Sequence, residues 1–319
     1  MYKGIFVLLF TALSSLVLMA EVSYDIVVDK SGKGDFTTVQ DAINSVPDYR
    51  KSRTVILIKE GDYNEKIKIG PEKNNLSLIG EGNVKLTYDD RASRHTRFGE
   101  EMGTSATASV FIYPDNFYAE NIIFENTAGL NAGQAVACFL GGDKMFFKNC
   151  RFLGFQDTLY AYSRGRQYFE ECYIEGSVDF IFGSSTVLFN RCEIHSNRAK
   201  GYLTAPSTPQ DHKHGFVFYN CKLTADEGCD EVWLGRPWRP YGKTAFIKCD
   251  MGSHIRAEGW NNWRKPEREK TCAFVEYGNY GTGSDTAGRA FGYVLPSLEG
   301  YFFADILGDW IPEGADFKE

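Results

Sequence analysis

Five segments of this chain repeat one phrase, Phe-x-x-Cys-x-apolar: FKNCRF at 147–152, FEECYI at 169–174, FNRCEI at 189–194, FYNCKL at 218–223 and FIKCDM at 246–251. The cysteines follow one another at intervals of 22, 20, 29 and 28 residues. A unit of this length recurring along a chain predicts an all-β solenoid of parallel strands, each copy adding one coil and loops absorbing the length differences. Weaker members without cysteine precede the five, at 75–80 (NLSLIG) and 121–126 (NIIFEN). Within each copy the cysteine and the apolar residue two later fall on one side of a strand, inward, while Arg151, Tyr173, Glu193, Lys222 and Asp250 alternate outward. The phenylalanine, three before the cysteine, has the opposite parity. A bend or a change of sheet must lie between them.

This periodicity also decides what the cysteines are. No Cys-x-x-Cys or His-x-x-x-His pairing accompanies them, so they read as small interior residues stacked coil on coil and not as metal ligands. Cys138, Cys229 and Cys272 stand outside the ladder, with no pairing implied. Solenoids need covered ends, and TTVQDAINSV at 37–46 sets Val39, Ala42, Ile43 and Val46 on one helical face, a short N-terminal capping helix. After Cys272 the repeat gives way to Gly- and aromatic-rich sequence, read as loops and short helices covering the other end. No linker divides the rest, so 21–319 reads as one domain.

Residues 1–20, MYKGIFVLLFTALSSLVLMA, carry Lys3 ahead of an apolar run ending at a small residue, the pattern of a cleaved export signal. The run is too short for a span, and no later stretch is long and apolar enough to stay in a membrane. The mature chain is therefore expected in a periplasm or outside the cell, as a monomer. Removing Lys3 from the 35 basic residues leaves 34 against 42 acidic ones, a formal charge of −8. That balance argues against nucleic acid as a partner.

Two ladder copies share a longer frame, Cys-x-apolar-x-Gly-x-x-Asp, in CRFLGFQDTLY (150–160) and CYIEGSVDFIF (172–182). Asp157 and Asp179 therefore occupy equivalent places on consecutive coils, about 4.8 Å apart. Two carboxylates so close cannot both ionise cheaply, which makes an acid beside a base. Phe155, Tyr160, Tyr162, Phe180 and Phe182 flank them, an aromatic area suited to sugar rings. Such a pair fits a retaining glycosidase, or an aspartate nucleophile with an acid partner acting on an ester. No Gly-x-Ser-x-Gly elbow or histidine triad offers another route to acyl transfer. On the ester reading, Gln134 and Gln156 are candidate oxyanion donors and Arg236 a candidate cation for the nucleophile.

The phrases GDYNEKI (61–67), GQAVA (133–137), QDTLY (156–160), DFIFG (179–183) and LGRPW (234–238) occur in the order found in pectin methylesterases, which the chain resembles from about Asp29 to Trp310. The resemblance implies a right-handed parallel β-helix and hydrolysis of methyl esters on pectin, methyl-esterified homogalacturonan, without metal or organic cofactor. It implies Asp179 as nucleophile, Asp157 as acid and then base, Gln134 and Gln156 as oxyanion donors, and Arg236 orienting Asp179. Trp238, Thr104, Tyr160 and Phe180 are expected to contact the sugar chain, together with Gln134 and Arg236. The phrase YLTAPST at 202–208 is closer to the bacterial branch of that family, and the loop RASRHTRFGEEM (91–102) is expected near the cleft.

Overall fold

The computed structural model describes residues 23–317, so the export signal read at 1–20 lies outside the described residues. Parallel strands stack into three long faces wound as a right-handed parallel β-helix. One face is built from Ile67–Ile69, Val110–Ile112, Cys138–Leu140, Leu159–Ala161, Val178–Gly183, Tyr202–Pro206 and Trp233–Gly235; it will carry the site. The second runs from Met145–Lys148 through Arg166–Glu170, Thr186–Asn190, Phe216–Tyr219 and Lys243–Ile247 to Ala273–Tyr277. The third runs from Arg151–Leu153 through Tyr173–Gly176, Glu193–Ser196 and Lys222–Ala225 to Asp250–Met251. Strand Tyr118–Asn126 pairs with the first strands of both, so second and third faces join at the N-terminal end.

The bend demanded by the repeat is a single residue. Immediately before each ladder cysteine stands a residue in the left-handed region: Asn149 (φ 49°), Glu171 (54°), Arg191 (54°), Asn220 (53°) and Lys248 (52°). That residue turns the chain from second face to third, so the phenylalanine and the cysteine both point inward in spite of their parity. The rings then stack in a column, Phe147, Phe169, Phe189, Phe218 and Phe246, with centroids 4.5–4.8 Å apart. Each thiol donates to a carbonyl of the coil before it, Cys172 to Phe147 (3.4 Å), Cys192 to Phe169 (3.6 Å), Cys221 to Phe189 (3.4 Å) and Cys249 to Phe218 (3.5 Å). The cysteines thus satisfy backbone acceptors at the corner as well as filling space. All eight are free thiols, and burial pushes those of Cys172, Cys192 and Cys249 up.

Helix Val39–Ser45, capped by the Thr38 hydroxyl, closes the N-terminal end with Val39, Ala42 and Ile43 buried. The C-terminal sequence behaves differently from the expectation. Trp260, packed on Phe274 at 4.6 Å, and Phe291 close the interior there. Residues from Leu295 onward leave that end and run back along the outer side of the second face. Helix Phe303–Leu307 and Phe317 cover Tyr168, Leu188 and Tyr219. The reason is that this face is apolar on both sides: in Phe216–Tyr219 the phenylalanines point in while Val217 and Tyr219 point out. A parallel strand buried on both sides reads as an unbroken apolar run and needs a cover.

Candidate active site

The site-bearing face places the two aspartates where the repeat predicted. Leu159 pairs with Ile181, and the same register two residues back sets Asp157 beside Asp179, with the Asp157 amide donating to the Val178 carbonyl at 3.1 Å. Both sit in the left-handed region, φ 67° and 51°. Aspartate is among the few residues that accept this conformation, and its use twice at one place re-aims both carboxylates toward the outer side. They are 8% and 7% exposed.

Their surroundings are unequal. Arg236, one residue past strand Trp233–Gly235, lays its fork on Asp179, Nε to Oδ1 at 2.8 Å and Nη2 to Oδ2 at 2.7 Å. Burial raises the Asp179 pKa and the Arg236 fork pulls it back, for a net rise. Asp157 has no ion pair among the described residues; burial first and the neighbouring Asp179 second push its pKa well above the carboxylate range, with Arg236 pulling the other way. Both carboxyls are pushed up, Asp157 the further, and only Asp179 has a cation forked on it to favour its charged form.

Around the pair lies a cleft of about 450 Å³ lined by Thr104, Gln134, Gln156, Tyr160, Arg236 and Trp238 among others. Gln134 and Gln156 lie on consecutive coils, the Gln156 carbonyl accepting from the Ala135 amide at 3.1 Å. Their side-chain amides make no hydrogen bond among the described residues, so four N–H donors are available to a ligand. Thr104 opens a short 3₁₀ turn, Thr104–Ala106, at the rim. Tyr160 stacks on Phe182 at 4.1 Å and meets Trp238 edge-on at 6.3 Å, which makes an aromatic wall.

One expected contact fails. Phe180 is fully buried in the solenoid interior and cannot reach a sugar. The left-handed turn at Asp179 and the register shift between Val178 and Ile181 break the alternation, so Phe180 and Ile181 both face inward. The outward ring on this strand is Phe182. The loop 91–102 supports the site from behind, Ala92 donating to the Gln134 carbonyl at 2.9 Å, and none of its residues lines the cleft. Ser105, Ala205 and Trp263 complete the lining and were not foreseen. Trp263 comes from GWNNWR, which lies outside every repeat and motif read in the sequence.

An unequal carboxyl pair under a wall of stacking rings, on a parallel β-helix, marks a class of enzyme that works on polysaccharide chains. Comparison with known proteins makes this narrower. A family model described as Pectinesterase matches residues 25–293, and the chain belongs to that family. It is 41% identical over 269 residues to Pectinesterase 31 of Arabidopsis thaliana, spanning 82% of this chain and 84% of that one. Among solved structures, pectin methylesterase from carrot is similar with a TM-score of 0.84 at 31% identity, covering 90% of this chain and 94% of that chain. PemA, the pectin methylesterase of Erwinia chrysanthemi, gives 0.80 at 31% identity, covering 92% and 99%. The chain is therefore a carboxylic ester hydrolase whose substrate is pectin.

Proposed function

We propose that the chain demethylates galacturonate units of homogalacturonan, releasing methanol and pectate, with Asp179 as the nucleophile. The ionised Asp179 carboxylate attacks the C6 ester carbonyl, and the side-chain amides of Gln134 and Gln156 donate to the tetrahedral oxyanion. Collapse of that intermediate breaks the bond to the methoxy oxygen, which takes the proton held by Asp157 and leaves as methanol. Asp157, now ionised, removes a proton from water as the water attacks the acyl-enzyme. The second collapse frees the galacturonic acid, which gives its proton to the medium to become pectate, and restores Asp179 charged and Asp157 protonated. Trp238, Tyr160 and Phe182 hold the sugar rings, with Thr104 at the rim. The same reading has residues 1–20 as an export signal and 21–319 acting as a monomer outside the cytoplasm.

The observation that carries this assignment is the unequal pair, with Arg236 forked on Asp179 and Asp157 left to desolvation. A glycosidase needs no pair of free amides facing its carboxylates, and Gln134 and Gln156 favour the ester. The test is an incubation with methylated pectin. The enzyme should release methanol and acidify the medium without creating reducing ends, and Asp179→Asn should release none. Substantial methanol from Asp179→Asn would sink the assignment.

A further inference from the structure

The guanidinium of Arg236 is held on both of its flat sides. Its central carbon lies 3.8 Å from the ring centroid of Tyr202 and 3.9 Å from that of Trp263. Behind Tyr202 the column continues: Trp233, its partner in register on the next coil, stacks at 6.1 Å with planes 6° apart, and Arg256 lies 4.4 Å over Trp233. Glu258 grips Arg256 through two bonds of 3.2 Å, and Glu231 stands 4.0 Å away. The outer layer is fixed by its own backbone. Trp263 and Arg264 are both left-handed (φ 59° and 55°), and the side chains of Asn261 and Asn262 accept from their amides at 2.8 and 2.9 Å.

A carboxylate accepts two parallel N–H bonds only while its plane and that of the guanidinium coincide. Hydrogen bonds leave the long arginine side chain free to tilt and to swing toward water. Rings on both faces remove those motions and shed water from the cation, which strengthens its pull on a neighbouring charge.

We propose that Tyr202 and Trp263 are positioning residues that clamp Arg236 in the plane of the Asp179 carboxylate, with Trp233 bracing Tyr202 from behind. This rests on the reading of Asp179 as nucleophile. The titratable groups around the column are Asp157 on the coil before Asp179, the phenols of Tyr160 and Tyr202, and Arg256, Glu231 and Glu258 beyond Trp233. Arg236 alone among the described residues forms an ion pair with Asp179. Without the clamp the fork opens, the cation no longer favours the ionised carboxylate, and Asp179 gains a proton at a higher pH. Activity on the acid side falls first.

The experiment is the pH profile of kcat/KM for methanol release from methylated pectin, measured on the full chain and on Tyr202→Leu, Tyr202→Phe, Trp263→Leu and Trp263→Phe. Both leucine variants should move the acid limb up by about one pH unit, and both phenylalanine variants should restore it, because a ring face is what the clamp needs. Tyr202 does not line the cleft, so its leucine variant should shift the limb with KM little changed. Trp263, on an outer loop, supplies the test if Tyr202→Leu does not fold. An acid limb unmoved in the folded variants, with only KM raised by Trp263→Leu, would make Trp263 a sugar-stacking residue and overturn the clamp. Asp179→Asn in the same series separates the two layers of inference: its inactivity with an unmoved limb defeats the clamp alone, and its activity defeats the reading beneath it.

Discussion

Replacing Asp157 by asparagine should make the protein more stable while it stops turnover. The carboxyl is 8% exposed and faces a second carboxylate across neighbouring strands, about 4.8 Å away. At an effective dielectric near 20, two charges about 5 Å apart repel by roughly 3 kcal/mol, and desolvation adds to the cost of ionising the pair. Burial and Asp179 hold the Asp157 pKa well above the carboxylate range, so the folded state resists losing a proton that the unfolded chain releases readily. A raised carboxyl pKa has a definite sign in linkage. The contribution to stability is whole below the ordinary aspartate pKa and is lost progressively as pH rises toward the folded value. Asparagine keeps the size and cannot ionise. The variant should gain about 1–3 kcal/mol at neutral pH, several degrees in Tm at about 2 °C per kcal/mol for a chain this long. The gain should shrink toward zero near pH 4. Calorimetry or CD melts of both proteins from pH 4 to 7.5, beside methanol release, measure it. A gap in Tm that does not change with pH, or an asparagine variant that melts lower at neutral pH, would show that the site does not carry this electrostatic load.

Two further outcomes test other parts of the site. Gln156→Ala should lower kcat by on the order of a hundredfold with little change in KM, since its amide is assigned to the oxyanion and not to the ground-state sugar; a KM effect alone would move Gln156 into substrate binding. Phe180→Leu should cost about 1–3 kcal/mol in a denaturant melt and leave KM for pectin unchanged, because the ring is an interior filler. A tenfold rise in KM in that variant would return Phe180 to the cleft.

Much of this was legible in the sequence because a solenoid converts spacing into position. Asp157 and Asp179 stand equally far past their ladder cysteines, and stacking the coils is enough to bring them together. The helix at Val39–Ser45 showed in its periodicity for the same local reason. Alternation misled where the backbone leaves the strand: the left-handed Asp179 turns Phe180 inward, and no count of residues reveals a positive φ at an aspartate. The clamp on Arg236 escaped because Tyr202 and Trp263 reach it from 34 residues before and 27 after, across closed coils and a loop outside the repeat. The sequence after Cys272 closes the far end as far as Phe291, and only from Leu295 onward does it depart to the outer side of the second face. Runs such as FVFY are apolar on both sides and announced an outer cover as plainly as an inner core.

The one-residue corners before the ladder cysteines also govern where this architecture tolerates change. An insertion there would send every later side chain of the third-face strand to the wrong side, so that corner is closed to growth. The unequal intervals of 22, 20, 29 and 28 residues show the surplus going elsewhere, into the stretches that leave the third face and return to the second. Each of those stretches holds one strand of the site-bearing face, such as Tyr202–Pro206 or Trp233–Gly235, with a loop on either side of it. A lineage can therefore lengthen or reshape the rim of the cleft, and with it the choice of sugar chain, while the interior columns go on unaltered. The corner residue, far from any substrate, is what makes specificity cheap to evolve.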